Sequence, residues 1–201
     1  MNSGSEIVSV NKKHVAIFAS GAGSNADNLI QYFKFHPSIK IALIITNNKE
    51  AGVIKIAEKN FIPHRVCIKR DWVDPFNIIY ELEGFKIDLI VLAGYLALIP
   101  AELTEVFKHK IINIHPALLP KYGGKGMFGN HIHKTVLENN ETETGITIHE
   151  VDEIYDNGKI LFQQSISIDS HDTPESIEKK VRELEYKYLP VTVEKLLLSS
   201  F

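Results

Sequence analysis

The sequence predicts an α/β fold built on a doubly wound, mainly parallel sheet. In the first half of the chain, short apolar segments rich in β-branched residues alternate with helical segments. Strands that are apolar throughout are typical of a parallel sheet covered by helices on both faces. In the second half, two segments of alternating polarity indicate antiparallel strands. We therefore expect a Rossmann-type N-terminal half, an antiparallel C-terminal extension and a final helix.

The N-terminal half is predicted to contain four strands separated by three helices. Pro37 ends the first helix, because proline does not continue a helical hydrogen-bond pattern. The predicted strands span residues 14–19, 39–46, 62–68 and 87–93, and the predicted helices span residues 26–33, 51–60 and 74–84.

The C-terminal half is predicted to be less regular. Residues 117–130 form a loop rich in glycine and lysine, and residues 152–159 form an acidic loop with several turns. Pro174 suits the first turn of the final helix. The other predicted elements are a short helix at 101–108, a fifth strand at 110–114, a helix at 131–139, a half-exposed strand at 144–151 and an alternating strand at 160–168.

Length and composition indicate one globular domain over residues 1–201, with residues 1–11 flexible. Hydrophobic residues make up 44% of the chain and charged residues 23%, which excludes a disordered or collagen-like protein. The single cysteine, Cys67, excludes a disulfide framework and a multi-cysteine metal site. The net charge of −3 and the lack of a long apolar run argue against nucleic-acid and membrane partners. We expect a cytoplasmic protein.

The glycine-rich turn at residues 20–25 (SGAGSN) follows the first strand, where doubly wound folds place a ligand-binding turn. Glycines let an anion approach the backbone, and the helix that starts near Asn25 directs free N–H groups toward it. This position favours phosphate binding over a plain turn in which Ser24 or Asn25 is the N-cap.

A dinucleotide cofactor is the competing ligand for this turn, because Gly21-x-Gly23-x-x-Ala26 satisfies the relaxed dinucleotide fingerprint. Such a site requires an acidic residue at the end of the second strand, about 20 residues further on. Residues 46–49 (TNNK) contain none, and Glu50 comes late. An oxidoreductase is therefore disfavoured, whereas a monophosphate ligand needs no such acid.

Asn113 and His115 end the fifth strand, at the edge where open α/β sheets bind ligands. The two-residue period of a strand places both side chains on one face. An amide and an imidazole together can hold an oxyanion that develops at a carbonyl carbon. The alternative is a buried histidine and asparagine with purely structural hydrogen bonds.

A carboxylate partner for the imidazole is also expected, and Asp152, Glu153 and Asp156 are the candidates. Asp156 begins a D-N-G sequence, which on residue type alone favours a plain surface turn.

Three further histidines can line a pocket, namely His131, His133 and His149. A metal site at these histidines is disfavoured because residues 131 and 133 do not share a helix face, and because no zinc motif accompanies them.

Four segments carry a resemblance to a known family. They are AIFASGAGSNADNLI (16–30), DLIVLAGYLALIP (88–100), INIHPALLPKYGG (112–124) and GITIHEVDEIYDNGKILFQ (145–163). The chain resembles the phosphoribosylglycinamide formyltransferases, also called glycinamide ribonucleotide transformylases, over about residues 12–195. These enzymes belong to the folate-dependent formyltransferases.

The resemblance implies formyl transfer from 10-formyltetrahydrofolate to the amine of 5′-phosphoribosylglycinamide in purine biosynthesis. It implies an oxyanionic tetrahedral intermediate, a protonated His115 kept charged by Asp156, and no metal. It also implies small-molecule partners only and a monomer or homodimer. Residues 12–110 would form the phosphate-binding half and residues 111–201 the catalytic and folate-binding half.

The resemblance also assigns roles to individual residues of this sequence. The catalytic residues would be Asn113, His115 and Asp156, and the substrate phosphate would bind at Gly23, Ser24 and Asn25. Further substrate contacts would come from Glu185, His131 and His149. The folate would bind at Tyr95, Leu96, Ala97, Leu98, Ile99, Val151, Asp152 and Asp156.

Three departures from the family pattern concern the donor side. Ala97 stands where many relatives carry a basic residue, the segment 123–130 is longer than in some relatives, and Lys159 replaces a small residue. Two other functions remain as alternatives. A methionyl-tRNA formyltransferase would need a further C-terminal domain and a basic surface, and a non-catalytic nucleotide- or folate-binding module would not need a carboxylate near His115.

Overall fold

A computed structural model describes residues 12–199, in which seven strands form one sheet with helices on both faces. The predicted flexibility of residues 1–11 lies outside the described residues. The strands are β1 (Lys13–Phe18), β2 (Ile39–Thr46), β3 (His64–Val66), β4 (Ile87–Leu92), β5 (Ile111–His115), β6 (Glu143–Glu150) and β7 (Ile160–Ser167). The helices are α1 (Ser24–Phe33), α2 (Gly52–Lys59), α3 (Phe76–Gly84), α4 (Ala101–Val106), α5 (Asn130–Glu138) and α6 (Pro174–Leu198), and a 3-10 helix (Lys69–Trp72) precedes α3.

The strand order is β3-β2-β1-β4-β5-β6-β7. β1 to β5 pair in parallel, whereas β6 pairs antiparallel with both β5 and β7. This confirms the predicted fold class. The chain reverses its direction of winding between β1 and β4, and such a switch point opens a crevice at the carboxyl ends of the strands.

Two apolar clusters cover the two faces of the sheet. One packs α1, α2 and α6 against residues such as Ile17 of β1 and Ile112 of β5. The other packs α3 and α4 against residues such as Phe18 and Ile111. Successive residues of a strand thus enter opposite clusters, which explains why these strands are apolar without alternation.

The predicted half-exposure of the strand at 144–151 is wrong. In β6 every residue from Thr144 to His149 is buried, because β5 and β7 cover both edges of this strand and α6 packs on it. β7 is the edge strand of the sheet, and its burial alternates as its sequence predicts. The third strand is also shorter than predicted, with three residues at the other edge.

α6 runs along the sheet and carries side chains to the site. It begins with a capping box, in which the Thr173 side chain accepts a hydrogen bond from the Ser176 N–H and Pro174 occupies the first turn. This confirms the predicted start of the final helix. Among residues 12–199, no helix combines the length and the hydropathy that crossing a membrane requires.

We predict that Gly145→Ala destabilises the protein by about 1–3 kcal/mol, because the added methyl group would overlap the Gln164 carbonyl oxygen on β7. Gly84→Ala is the matched control. Nothing lies within 4 Å of its added methyl group at the end of α3, so we expect a gain of about 0.5–1 kcal/mol. Urea unfolding of both variants measures the difference, and equal stabilities would contradict the close packing of β6 against β7.

Candidate active site

A cleft of about 530 Å³ lies at the carboxyl ends of the parallel strands. Its volume falls in the range of small-molecule sites. The glycine-rich turn after β1, the segment after β4, the end of β5 and the loop after β6 line it, and the strands that carry them lie side by side in that order in the sheet. The lining includes residues 21–25, 92–99, 113–116, 124–129, 151–152 and 154–156, together with His133, His149, Glu178, Val181, Arg182 and Glu185.

The structure brings Asn113, His115 and Asp156 together in this cleft. The Asn113 amide donates a hydrogen bond to Asp156 Oδ1 at 3.3 Å, and His115 Nδ1 lies 3.6 Å from the same oxygen. Asp156 lies in a left-handed conformation, with φ of 54°, and its side chain is largely buried. A plain surface turn at Asp156 is therefore contradicted, and the shared face of the strand is confirmed.

His115 is held by a backbone carbonyl on its far side. It is 3% exposed, and its Nε2 lies 2.8 Å from the carbonyl oxygen of Tyr122. A carbonyl only accepts hydrogen bonds, so Nε2 carries the proton of the neutral ring. Nδ1 then directs a lone pair toward Asp156, and a second proton at Nδ1 would complete an ion pair.

The pKa of His115 lies below its ordinary value. Burial disfavours the charged ring and outweighs the favourable effects of the Asp156 charge and the Tyr122 carbonyl. Burial thus favours the neutral ring, whereas Asp156 favours the charged ring. The charged His115 that the family resemblance implies stays a prediction.

Asp156 remains ionised although it is largely buried. Burial raises its pKa, but His149, His115 and the Gly124 N–H together outweigh that effect, and the pKa is lowered. The Gly124 N–H donates to Asp156 Oδ2 at 2.9 Å, and His149 Nε2 lies 3.5 Å from Oδ1. The site therefore holds one buried negative charge beside two imidazole rings.

His149 also fixes the amide of Asn113. Its Nδ1 lies 2.7 Å from the Glu150 carbonyl oxygen and therefore carries the ring proton. Its Nε2 can then accept a hydrogen bond from Asn113 Nδ2, at 3.1 Å. Both N–H groups of the Asn113 amide are thus engaged, one by His149 and one by Asp156. An oxyanion can bind to this amide only by replacing one of those partners.

The glycine-rich turn presents the start of α1 to the cleft. Gly23 is the N-cap, with φ of 81°, and no side chain caps the helix. Ser24 and Asn25 therefore do not act as the N-cap, contrary to the alternative considered from the sequence. A Cβ atom at Gly23 would lie 2.7 Å from Cβ of Val53, so α2 packs too closely for a side chain. The first backbone N–H groups of α1 remain available to an anion.

α6 adds charged groups to the same end of the cleft. Glu185 Oε2 accepts a hydrogen bond from the Asn25 amide at 2.9 Å, whereas Asn25 Oδ1 is buried without a partner. Burial raises the pKa of Glu185, although Asn25 and Arg182 oppose that effect. Arg182 forms an ion pair with Glu178 one turn earlier in the helix. This bond places Glu185 beside the turn, and its contact with the substrate stays a prediction.

The two histidines of α5 have opposite surroundings. His131 is exposed and does not line the cleft, whereas His133 is 2% exposed and lines it. The helix places residues two positions apart on different faces, and the apolar contacts of Ile132 and Val136 turn residue 133 inward. His133 therefore replaces His131 as the candidate contact. Helical spacing in the sequence shows that the two side chains lie on different faces, but it does not show which face lines the cleft.

The predicted folate segment forms the apolar end of the cleft. Tyr95 and Ile99 are buried in the core cluster on this face, whereas Leu96 and Leu98 are about half exposed beside the opening. Burial raises the pKa of the Tyr95 hydroxyl. The Leu96 N–H donates to Ser20 Oγ at 2.9 Å, so the segment after β4 is fixed to the turn after β1. Nothing in the sequence indicates this role of Ser20, because the bond joins residues 76 positions apart.

The remaining predicted folate contacts also line the cleft. Val151, Asp152 and Ala97 belong to its lining, together with the loop residues Met127 and Phe128 that the sequence analysis did not assign. Among the described residues, no three His, Cys, Asp or Glu side chains are grouped so that they could hold a metal ion.

Comparisons with known proteins agree with this geometry. Residues 13–193 match a family model described as formyl transferase. The chain is 37% identical over 190 residues to phosphoribosylglycinamide formyltransferase of Bacillus subtilis, covering 92% of this chain and 95% of that protein. A solved structure of phosphoribosylglycinamide formyltransferase from Bacillus halodurans superposes with a TM-score of 0.82 at 36% identity, covering 93% of this chain and 96% of that one.

A plant relative is longer than this chain. The chloroplastic phosphoribosylglycinamide formyltransferase of Arabidopsis thaliana is 40% identical over 188 residues, which cover 88% of this chain and 62% of that protein.

We predict that Asp156→Asn lowers the pKa of His115 further, because the nearby negative charge favours the protonated ring. Titration of the ring followed by nuclear magnetic resonance measures this value. Glu153→Gln is the matched control, since it removes one charge from the same loop, where Glu153 is exposed. Equal downward shifts in both variants would contradict a direct interaction between Asp156 and His115.

We also predict that the free energy of unfolding rises with pH between about pH 5 and 7. Burial lowers the pKa of His133, so the unfolded chain binds more protons than the folded chain below about pH 6.5. Stability is therefore lost as the pH falls through this range. His133→Gln should flatten the slope measured by urea unfolding, whereas His131→Gln should not, and equal slopes in all three proteins would contradict a buried neutral His133.

Proposed function

The chain belongs to the formyl transferase family, and from that premise we propose that it transfers a formyl group from 10-formyltetrahydrofolate to the amine of 5′-phosphoribosylglycinamide. One observation carries the proposal. The buried group of Asn113, His115 and Asp156 shares one cleft with an anion-accepting turn and an apolar wall. A phosphorylated acceptor and a folate donor need these two surfaces beside the reacting atoms.

The acceptor is proposed to bind with its phosphate at Gly23, Ser24 and Asn25. The free N–H groups and the positive end of α1 favour an anion there. Glu185, which bonds to Asn25, faces the remainder of this substrate, and His133 and His149 complete the wall. Arg182 and Lys125 also line the cleft and bring positive charge to it.

The donor is proposed to bind at the other end, against residues 95–99 and the loop that contains Val151, Asp152 and Asp156. The mixture of exposed leucines and buried aromatic surface suits a flat ring system. Asp156 belongs both to this wall and to the catalytic group, so it faces the formyl group carried by the folate. Ala97 offers no charge here, so donor affinity depends on shape and on the backbone.

In the proposed reaction, the acceptor amine forms a bond to the formyl carbon, and the carbonyl electron pair moves to the formyl oxygen. Asn113 donates to this oxygen after releasing one of its present partners. His115 and Asp156 take the proton that the amine loses, at Nδ1 or at the carboxylate. When the carbonyl re-forms and the bond to the folate nitrogen breaks, that nitrogen receives a proton. The step is neither oxidation nor reduction.

A neutral His115 suits this sequence of proton transfers. Its Nδ1 lone pair can accept a proton, and the adjacent carboxylate stabilises the charged ring that results. The negative charge on the formyl oxygen develops in the same step and further favours the protonated ring. Burial prevents water from screening these charges, and the two substrates gain by being held together.

The domain organisation, the partners and the location of the protein are part of the same proposal. We infer one domain, with residues 12–110 binding phosphate and residues 111–201 providing the catalytic group and most folate contacts. The partners are small molecules, and a cytoplasmic monomer or homodimer is expected. Purine biosynthesis is the process that uses this reaction.

We predict that His115→Ala lowers kcat for formyl transfer by about 10²–10⁴-fold, because the proton acceptor is lost. Asn113→Ala should lower kcat by about 10²–10³-fold, since one donor to the oxyanion is removed. The change in folate absorbance measures the rate, and calorimetry measures retained binding of the acceptor.

His131→Ala is the control, because this exposed side chain lies outside the cleft lining. The wild-type protein is also offered methionyl-tRNA as an acceptor. Transfer to methionyl-tRNA but not to phosphoribosylglycinamide would reject the acceptor, and no transfer to either would reject the proposed activity.

A further inference from the structure

We propose that Glu141 is a positioning residue for His115, and that it acts through Tyr122. Its importance for the reaction rests on the proposed function, whereas its effect on the His115 ring does not. Neither residue belongs to the lining of the active-site cleft. Both line a separate cavity of about 240 Å³, which residues 118–121, Glu143 and Thr144 also line.

A chain of hydrogen bonds joins Glu141 to the catalytic imidazole. The Tyr122 hydroxyl donates to Glu141 Oε1 at 2.8 Å, and the Tyr122 carbonyl oxygen lies 2.8 Å from His115 Nε2. Lys121 donates to the same carboxylate at 2.9 Å, and the Asn139 amide donates to the Tyr122 hydroxyl at 3.1 Å. The Glu141 carboxylate thus fixes the side chain of the residue whose backbone orients His115.

Tyr122 needs such an anchor because its backbone is strained. Its φ is 58°, in the left-handed region that costs a non-glycine residue about 1 kcal/mol or more. The glycine-rich segment 123–129 follows directly, and it contains Gly124, Gly126 and Gly129 at positive φ. Tyr122 is therefore a fixed side chain directly before residues 123–129, whose glycines restrict the backbone little.

The segment before Tyr122 is held independently by the sheet. Thr147 of β6 donates through Oγ1 to the Ala117 carbonyl at 2.7 Å and accepts from the Leu119 N–H at 3.0 Å. These bonds fix the chain just after His115, but they do not reach the Tyr122 carbonyl. Tyr122 itself packs against the apolar cluster of Ala117, Ile132 and Val136. Glu141, in the segment between α5 and β6, adds a directional attachment at the far end of the side chain, through the hydroxyl.

Tyr122 also lies two residues before Gly124, which contacts Asp156, the partner of His115. The Gly124 N–H donates to Asp156 Oδ2, so displacement of residues 122–124 would affect both the imidazole and the carboxylate. Loss of the carbonyl bond would let the His115 ring rotate and would remove a contact that favours its protonated form. Small displacements of this kind lower rates strongly without changing substrate contacts.

The test compares Tyr122→Phe, Glu141→Ala and Glu141→Gln in the full-length protein. The first two variants break the hydrogen bond from either side, whereas glutamine keeps an oxygen that can accept from the tyrosine. We expect Tyr122→Phe and Glu141→Ala to lower kcat roughly 10-fold with little change in KM, and Glu141→Gln to retain most of the rate. Titration of His115 by nuclear magnetic resonance should move to lower pH in the first two variants only.

The charged neighbours require matched controls. Lys121 and Glu143 lie near Glu141, and Asp156, His149 and His133 lie near His115. Lys121→Met removes the ion pair but leaves the tyrosine bond, so it should not shift the His115 titration. Tyr32→Phe removes the same kind of bond, from Tyr32 to Glu194 on α6, at a site outside the cleft lining.

The His115 titration and kcat decide the outcome together. If Tyr122→Phe and Glu141→Ala titrate like the wild-type protein, or if Tyr32→Phe lowers kcat equally, Glu141 has only a structural role and the inference is wrong. If one variant fails to fold, the other decides by the same criteria. A wild-type protein without formyl transfer would reject the proposed function alone, because the titration does not depend on activity.

Discussion

The buried carboxylate of Asp156 imposes a constraint that most of the site is built to satisfy. An ionised carboxylate loses much of its hydration at this position, and only nearby donors and cationic groups can compensate. Those groups come from three parts of the chain. The Asn113 amide comes from β5 and the Gly124 N–H from the glycine-rich loop. The imidazoles of His115 on β5 and His149 on β6 lie 3.6 and 3.5 Å from the same carboxylate, and each becomes a donor to it once the facing nitrogen is protonated. The site therefore forms only when the parallel and antiparallel parts of the sheet have met.

The antiparallel register of β5 and β6 determines which side chains come together at the site. β5 and β6 pair with Asn113 opposite His149 and His115 opposite Thr147. Asn113 and His149 can therefore share a hydrogen bond, and Thr147 can hold the chain that leaves His115. A shift of one residue in this register would turn the opposite set of side chains toward the cleft. The burial of β6, which its sequence did not suggest, follows from this central position.

Local periodicity was enough to predict much of the fold and part of the site. The apolar strands and the spacing of the helices identify the sheet, and the two-residue period places Asn113 and His115 together. The role of Asp156 was different, because its own turn sequence favours a surface position and only the family resemblance assigned it to the site. The sequence also places His131 and His133 on different faces of a helix, but which of them lines the cleft depends on which face of α5 packs against the core. Such facts come from long-range contacts.

The charge state of His115 shows most clearly why sequence alone could not complete the site. The presence of a carboxylate favours a protonated ring, whereas burial favours a neutral one, and the balance depends on how completely the fold excludes water. Burial lowers the pKa of the ring and so favours the neutral form, which can accept a proton. In the proposed reaction, the negative charge that develops on the formyl oxygen would favour the protonated ring at the moment when protonation is useful. The same burial that favours a neutral His115 also strengthens its attraction to Asp156 once it is charged. In the proposed reaction, a buried site with a fixed carboxylate would thus couple the protonation of His115 to the chemical step, as long as the Tyr122 carbonyl keeps Nδ1 facing Asp156.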